Sequence, residues 1–127
     1  MNAIVVDTSA WIPYLAGRPN TVVDEAIHDG RVFLPPIVLA EIFSGKLNHR
    51  RRQELREAME RLPLCDCRFD HWIRVGELRA SLMAAGITIS IPDAHVAQCA
   101  MDLSGILVTE DKIFHLAADH CALQVVR

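Results

Sequence analysis

The sequence of 127 residues lacks the long apolar segment that a membrane span requires. A helix needs about 20 consecutive apolar residues to cross a bilayer, and polar residues interrupt every apolar stretch of this chain well before that length. The first seven residues also lack the basic segment that opens a signal peptide. We therefore expect a cytoplasmic protein with no membrane contact.

Glycine-rich phosphate loops and low-complexity segments are missing as well. The chain contains neither the GxxxxGK[ST] loop of NTPases nor the GxGxxG turn of dinucleotide-binding folds, which removes both classes. Disorder is excluded because 51% of the residues are hydrophobic and the net charge is only −3. A chain of this length is typical of one compact domain, which we expect to cover residues 1–127.

Cysteine pairs with the spacing of zinc sites are also missing. Cys65 and Cys67 stand one residue closer together than the CxxC spacing of such sites, and Cys99 and Cys121 stand alone. Thiols in a cytoplasmic protein are normally reduced. We interpret all four cysteines as small apolar side chains rather than as metal ligands or nucleophiles.

Short apolar segments alternate with helical segments along the chain. Strands are predicted at residues 4–6, 32–34, 64–67, 106–109 and 123–126. Helices are predicted over about 8–16, 21–29, 36–47, 49–62, 70–85, 92–104 and 111–118. This alternation indicates βαβ crossovers, hence an α/β fold with a parallel sheet of about four or five strands and helices on both faces.

Acidic residues lie where a ligand would bind in such a sheet. Asp7 directly follows the first strand and Asp111 comes shortly after the strand at 106–109. Ligands bind beyond the carboxyl ends of parallel strands, so these carboxylates converge if the two strands are neighbours. A third carboxylate, Asp93, stands behind Pro92 at a helix start. Helix capping is the alternative function for each of the three.

Glu41 lies in the middle of a predicted helix with apolar neighbours on both sides. A helix that is apolar all round is buried, and a buried carboxylate needs a partner. The partner is either a basic side chain, of which Lys46 is the nearest in sequence, or a metal ion. Several carboxylates in one cleft repel each other unless they bind a cation or protons. Ligand sets made only of oxygen favour Mg²⁺ or Mn²⁺.

The positive charge is concentrated in one segment, which holds six of the 13 cationic residues: Lys46, Arg50, Arg51, Arg52, Arg56 and Arg61. A local basic stripe on an acidic protein is typical of a face that docks a polyanion. The alternative is a solvated helix surface on which Glu54, Glu57 and Glu60 supply ion-pair partners.

Four segments together resemble a PIN domain and, within that family, the VapC ribonuclease toxins of bacterial toxin–antitoxin pairs. They are IVVDTS at residues 4–9, LAEI at 39–42, PDAHVA at 92–97, and LVTED at 107–111 with Phe114. The resemblance covers essentially the whole chain. Each motif is weak alone, whereas all four in this order are specific.

The resemblance implies an acidic quartet that holds Mg²⁺ or Mn²⁺, formed by Asp7, Glu41, Asp93 and Asp111. It implies small hydroxyl side chains that orient the carboxylates or waters, namely Thr8, Ser9 and Thr109. The implied activity is that of an endoribonuclease, which hydrolyses an RNA phosphodiester with metal-activated water. The basic side chains expected to hold the RNA backbone are Lys46, Arg50, Arg51 and Arg52.

The resemblance further implies a cognate antitoxin that blocks the cleft, an RNA substrate and a homodimer. One alternative is a PIN-like module that binds nucleic acid or protein without cleaving it, but all four acidic positions are intact. Another is an aspartyl-phosphate enzyme. The segment after the first strand lacks the DxD of such phosphatases, and Glu41 has no role in that chemistry.

Overall fold

A four-stranded parallel sheet forms the centre of the protein in the computed structural model, which describes residues 1–126. The strands are arranged in the order β2-β1-β3-β4, and every neighbouring pair is parallel. Their bounds are β1 (Ile4–Val6), β2 (Val32–Phe33), β3 (Ile106–Val108) and β4 (Gln124–Val126).

Seven helices accompany the sheet within residues 1–126. They are α1 (Thr8–Leu15), α2 (Thr21–His28), α3 (Pro36–Phe43), α4 (His49–Met59), α5 (Phe69–Ala84), α6 (Ile91–Asp102) and α7 (Lys112–Ala118). All three residues of β1 are at most 3% exposed, so both faces of this central strand are covered. The predicted α/β class is confirmed, with four strands in the sheet.

Two details of the predicted secondary structure are wrong. Helix α3 ends at Phe43 rather than near residue 47, because the Ser44 hydroxyl donates to the carbonyl of Ala40 and Asn48 caps a new helix. Residues 64–67 do not form a strand: Leu64 makes one isolated parallel bridge with Leu34. Lys46 therefore lies in a loop between α3 and α4 rather than on a helix.

The helices of the described part of the chain are too short or too polar to span a membrane. The longest, α5, has 16 residues and packs along α6. Since α5 and α6 follow each other in the chain, they form a helical hairpin beside the sheet, and α6 itself contacts β1 and β3. The four cysteines are free thiols, as expected.

Candidate active site

The site begins where β1 and β3 end side by side. Val6 is paired with Val108, and the backbone N–H of Asp7 donates to the carbonyl of Val108 at 2.9 Å. The next residues, Asp7 and Thr109, therefore leave the sheet next to each other, and they are 5% and 0% exposed. The two strands are neighbours, which is the condition under which we expected carboxylates to converge here.

Two hydroxyl groups fix the carboxylate of Asp7. Ser9 Oγ donates to Asp7 Oδ2 at 2.7 Å, and Thr109 Oγ1 donates to the same oxygen at 3.0 Å. Each hydroxyl has a single proton, so both protons are used on Asp7. Asp7 stands at the N-cap position of α1 but makes no side-chain capping bond. The capping alternative is therefore wrong for Asp7.

Glu41 is exposed, so the expectation that it is buried was wrong. The apolar residues of α3 divide between two environments: Val38 and Ile42 belong to the core, whereas Leu39 and Phe43 line an open groove. The Glu41 carboxylate is held from the other side of the site, because Thr8 Oγ1 donates to its Oε1 at 2.8 Å.

Asp93 and Asp111 are both placed by helix starts. Ser90 caps α6, its Oγ accepting from the backbone N–H of Asp93 at 3.2 Å, so Asp93 lies in the first helical turn. Asp111 caps α7, its Oδ1 accepting from the N–H of Ile113 at 3.1 Å. Capping is thus a real function of Asp111, although it occupies only one of the two carboxylate oxygens. Ser90 is a site residue that we missed, and its signal is the Ser-x-x-Asp spacing of a capping box.

The four carboxylates share one region of negative potential. Burial raises the pKa of Asp93, the hydrogen bond with Ser90 opposes this shift, and the charges of Asp7, Asp111 and Glu41 raise the pKa further. Within residues 1–126, none of the four has a basic group within 4.0 Å. The predicted ion pair between Glu41 and Lys46 is therefore not formed. A divalent cation would relieve this repulsion, and a donor set of carboxylate and hydroxyl oxygens suits Mg²⁺ or Mn²⁺.

The basic segment is only partly free to meet a ligand. Arg50 forms an ion pair with Glu54 at 3.2 Å, and Arg51 donates to the carbonyl of Leu15 at 2.9 Å. Leu15 ends α1, and eight helical residues separate that end from Asp7 by about 12 Å. Arg52 lies 6.0 Å from the ring centroid of Phe43, and Lys46 is exposed in its loop. Arg51 therefore anchors α4 to α1.

Comparison with known proteins adds a family and a set of folds. A family model described as PIN domain matches residues 4–119. A chain of the DNA-bound VapBC crystal structure from Salmonella typhimurium superposes with a TM-score of 0.79 at 19% identity, covering 99% of this chain and 98% of the other. For VapBC2 from Rickettsia felis, bound to a promoter DNA fragment, the values are 0.78, 20%, 98% and 97%. For VapBC-5 from Mycobacterium tuberculosis, a member of the VapBC family of toxin–antitoxin systems, they are 0.74, 21%, 100% and 99%.

Proposed function

Because the chain belongs to the PIN domain family, we propose that it is a metal-dependent endoribonuclease of the VapC type, the toxin of a toxin–antitoxin pair. One observation carries this proposal. Asp93 and three further carboxylates at the carboxyl edge of the sheet raise each other's energy, and no basic side chain of residues 1–126 lies within 4.0 Å of them. Such a cluster is suited to a divalent cation and a phosphodiester.

In this proposal the metal is held by Asp7, Glu41, Asp93 and Asp111. When bound, Mg²⁺ or Mn²⁺ lowers the pKa of a water molecule and stabilises negative charge on the phosphate and the leaving oxygen. The hydroxyls of Ser9 and Thr109 keep the Asp7 carboxylate in one orientation. Thr8 does the same for Glu41. These hydrogen bonds limit the movement of the two carboxylates before substrate arrives, which favours a defined geometry for hydrolysis.

The activity is tested by incubating the purified protein with total bacterial RNA and Mg²⁺ or Mn²⁺, with a parallel incubation in EDTA. We expect cleavage at discrete sites that requires the metal and leaves 5′-phosphate ends. A folded protein, free of antitoxin, that binds RNA and leaves it intact under all these conditions would contradict the proposal. That result would favour the alternative of a non-cleaving PIN-like module.

We also propose an antitoxin partner and a homodimer, since the structural relatives named above are VapBC complexes and one is described as a toxin–antitoxin system. An apolar groove of about 610 Å³ lies beside the acidic site and fits an inhibitory helix. Its apolar lining includes Leu39, Ala40, Phe43, Met59, Leu62 and Leu64. Ala40 directly precedes Glu41, so a segment seated here would lie next to the proposed metal ligands.

The groove is tested by the substitution Leu39→Ala. We expect the affinity for the antitoxin encoded beside this protein to fall about fivefold or more, since a hot-spot contact contributes more than about 1 kcal/mol. Leu116→Ala is the matched control, because Leu116 is a 53% exposed leucine on α7, outside the groove. Calorimetric titration of both variants gives the comparison. Equal affinities for wild type and Leu39→Ala would place the antitoxin elsewhere.

We propose that Lys46, Arg50 and Arg52 contact the RNA backbone, whereas Arg51 supports them through its bond to Leu15. Replacing the first three by Gln should weaken RNA binding and flatten its salt dependence, by about 0.7 in the logarithmic slope for each phosphate that is no longer neutralised. Binding is measured in an Asp7→Asn background to prevent cleavage. Arg68→Gln removes a charge before α5 and serves as the control. An unchanged slope would assign the segment to the solvent-exposed surface.

A further inference from the structure

A second set of ligand-type side chains lies in the α5–α6 hairpin. Cys67 precedes α5 and His71 lies in its first turn, while His95 and Cys99 lie on α6. Within each pair the residues are four positions apart, so that one helical turn brings them to the same side. One ligand atom from each residue forms a group whose members all lie within 4.8 Å of one another. We call these four residues the Cys–His cluster.

The distances within the Cys–His cluster are close to those around a tetrahedral zinc ion. The two sulfur atoms are 3.9 Å apart, the Nε2 of His71 is 2.9 Å from the Nδ1 of His95, and Cys99 Sγ lies 4.0 and 3.9 Å from these two nitrogens. Zinc bonds of about 2.3 Å to sulfur and 2.0–2.1 Å to nitrogen put tetrahedral ligands about 3.8 Å apart for two sulfurs and about 3.3 Å for two nitrogens. Movements of a few tenths of an ångström would therefore complete the site.

His71 is oriented by a partner outside the cluster. Its Nδ1 lies 2.7 Å from Asp102 Oδ2, and Asp102 also accepts from Arg74 and Gln98. Burial alone would raise the pKa of Asp102, but the hydrogen bonds from Arg74, His71 and Gln98 hold it at about 2. A charged Asp102 keeps the proton of a neutral His71 ring on Nδ1, which leaves the lone pair of Nε2 directed at the cluster. A carboxylate behind the ligating histidine is a regular feature of zinc sites.

The cluster is enclosed by protein. His71, His95 and Cys99 are buried, and Cys67 is half-buried. The Trp72 ring stacks on His95 with centroids 4.6 Å apart and an angle of 6°, and its Nε1 donates to the carbonyl of Cys67 at 3.0 Å. Four protein ligands in a closed site are typical of structural zinc, whereas catalytic zinc keeps one position open for water.

We propose that Cys67, His71, His95 and Cys99 bind one structural zinc ion. Two sulfur and two imidazole ligands in a tetrahedral arrangement favour zinc over Mg²⁺ or Mn²⁺, which prefer oxygen. The ion joins the loop before α5 to α6, the helix that starts with Asp93. It is separate from the acidic quartet in both position and ligand chemistry. Its role is to hold α6 in place beside the sheet, independently of whether RNA is cleaved.

The test uses untagged, reduced protein purified without chelators. Zinc per chain is measured by atomic spectroscopy, and Co²⁺ is then substituted for zinc. Tetrahedral Co²⁺ with thiolate ligands has intense visible and near-ultraviolet bands, whereas Co²⁺ bound by carboxylates absorbs weakly. The variants are Cys67→Ser with Cys99→Ser, Asp7→Asn in the acidic quartet, and Cys121→Ser as the control for a cysteine outside the Cys–His cluster.

We expect one zinc per chain in wild type, Asp7→Asn and Cys121→Ser, and none in the double cysteine variant. We also expect intense cobalt bands and a change in Trp72 fluorescence when the metal is removed. Wild-type protein that takes up no zinc and gives only weak cobalt bands would overturn the proposal, as would a Cys67–Cys99 disulfide in freshly purified protein without metal. The wild-type spectra decide the question even if the double variant does not fold.

Discussion

Replacing Asp7 by Asn should reduce RNA cleavage about 10³-fold or more and leave the fold intact. A metal ion contributes several kcal/mol to transition-state stabilisation, and each 1.4 kcal/mol is a factor of about ten in rate. The amide removes the negative charge of the most buried carboxylate of the quartet but keeps an oxygen that can accept from Ser9 and Thr109. The effect should therefore appear in the rate and not in the stability.

The comparison needs a carboxylate outside the site and a measure of folding. Asp119→Asn changes an exposed residue at the end of α7, so its cleavage rate should equal that of wild type. Cleavage rates at saturating Mn²⁺ and thermal unfolding are measured for all three proteins. If Asp7→Asn cleaves RNA at a rate near wild type, Asp7 is not a metal ligand. If it unfolds instead, the carboxylate serves the fold.

Removing one hydroxyl group beside Asp7 should also be costly. Thr109→Val keeps the shape of the side chain but deletes the donor to Asp7 Oδ2 and the acceptor of the Asp111 N–H. Groups that orient metal ligands typically contribute 10–100-fold in metal affinity or activity. We expect a loss of about that size, seen mainly as a higher Mn²⁺ concentration at half-maximal cleavage.

Thr88→Val is the matched control, since Thr88 is an exposed threonine in the loop before α6. Its Mn²⁺ dependence should be that of wild type. Thr109→Val also leaves a buried N–H without its partner, which costs about 1–3 kcal/mol of stability. The metal titration is therefore made well below the melting temperature of the variant. A lower melting temperature with an unchanged Mn²⁺ dependence would limit Thr109 to a structural role.

The placement of Asp7 and Thr109 could be predicted because it follows from local rules. An apolar strand followed at once by polar residues places them at the carboxyl edge of a parallel sheet. The remaining condition was that β1 and β3 be neighbours, and the pairing of Val6 with Val108 meets it. Little beyond the order of the strands was needed to bring these two residues together.

The environment of Glu41 could not be predicted, because it depends on what packs against α3. Leu39 and Phe43 are as apolar as Val38 and Ile42, but the chain leaves an open groove on one side of the helix. An apolar surface without a covering element has the same sequence signature as a buried one. The proposed antitoxin would provide the missing cover.

The Cys–His cluster was missed for a related reason. The search for a zinc site looked for two cysteines close in sequence, whereas here each half-site pairs a cysteine with a histidine four residues away. The two half-sites lie on either side of a helical hairpin, and Cys67 and Cys99 are 32 positions apart. Only the packing of α5 on α6 brings them together, and this packing has no short sequence signature.

The most direct test of the acidic quartet is an anomalous difference map from crystals soaked in Mn²⁺ at a concentration that supports RNA cleavage. We predict a manganese peak among the carboxylates of Asp7, Glu41, Asp93 and Asp111, and its loss in crystals of Asp7→Asn. A map without a peak at these carboxylates, from wild-type protein that cleaves RNA in the same Mn²⁺ concentration, would contradict the assignment of the metal site.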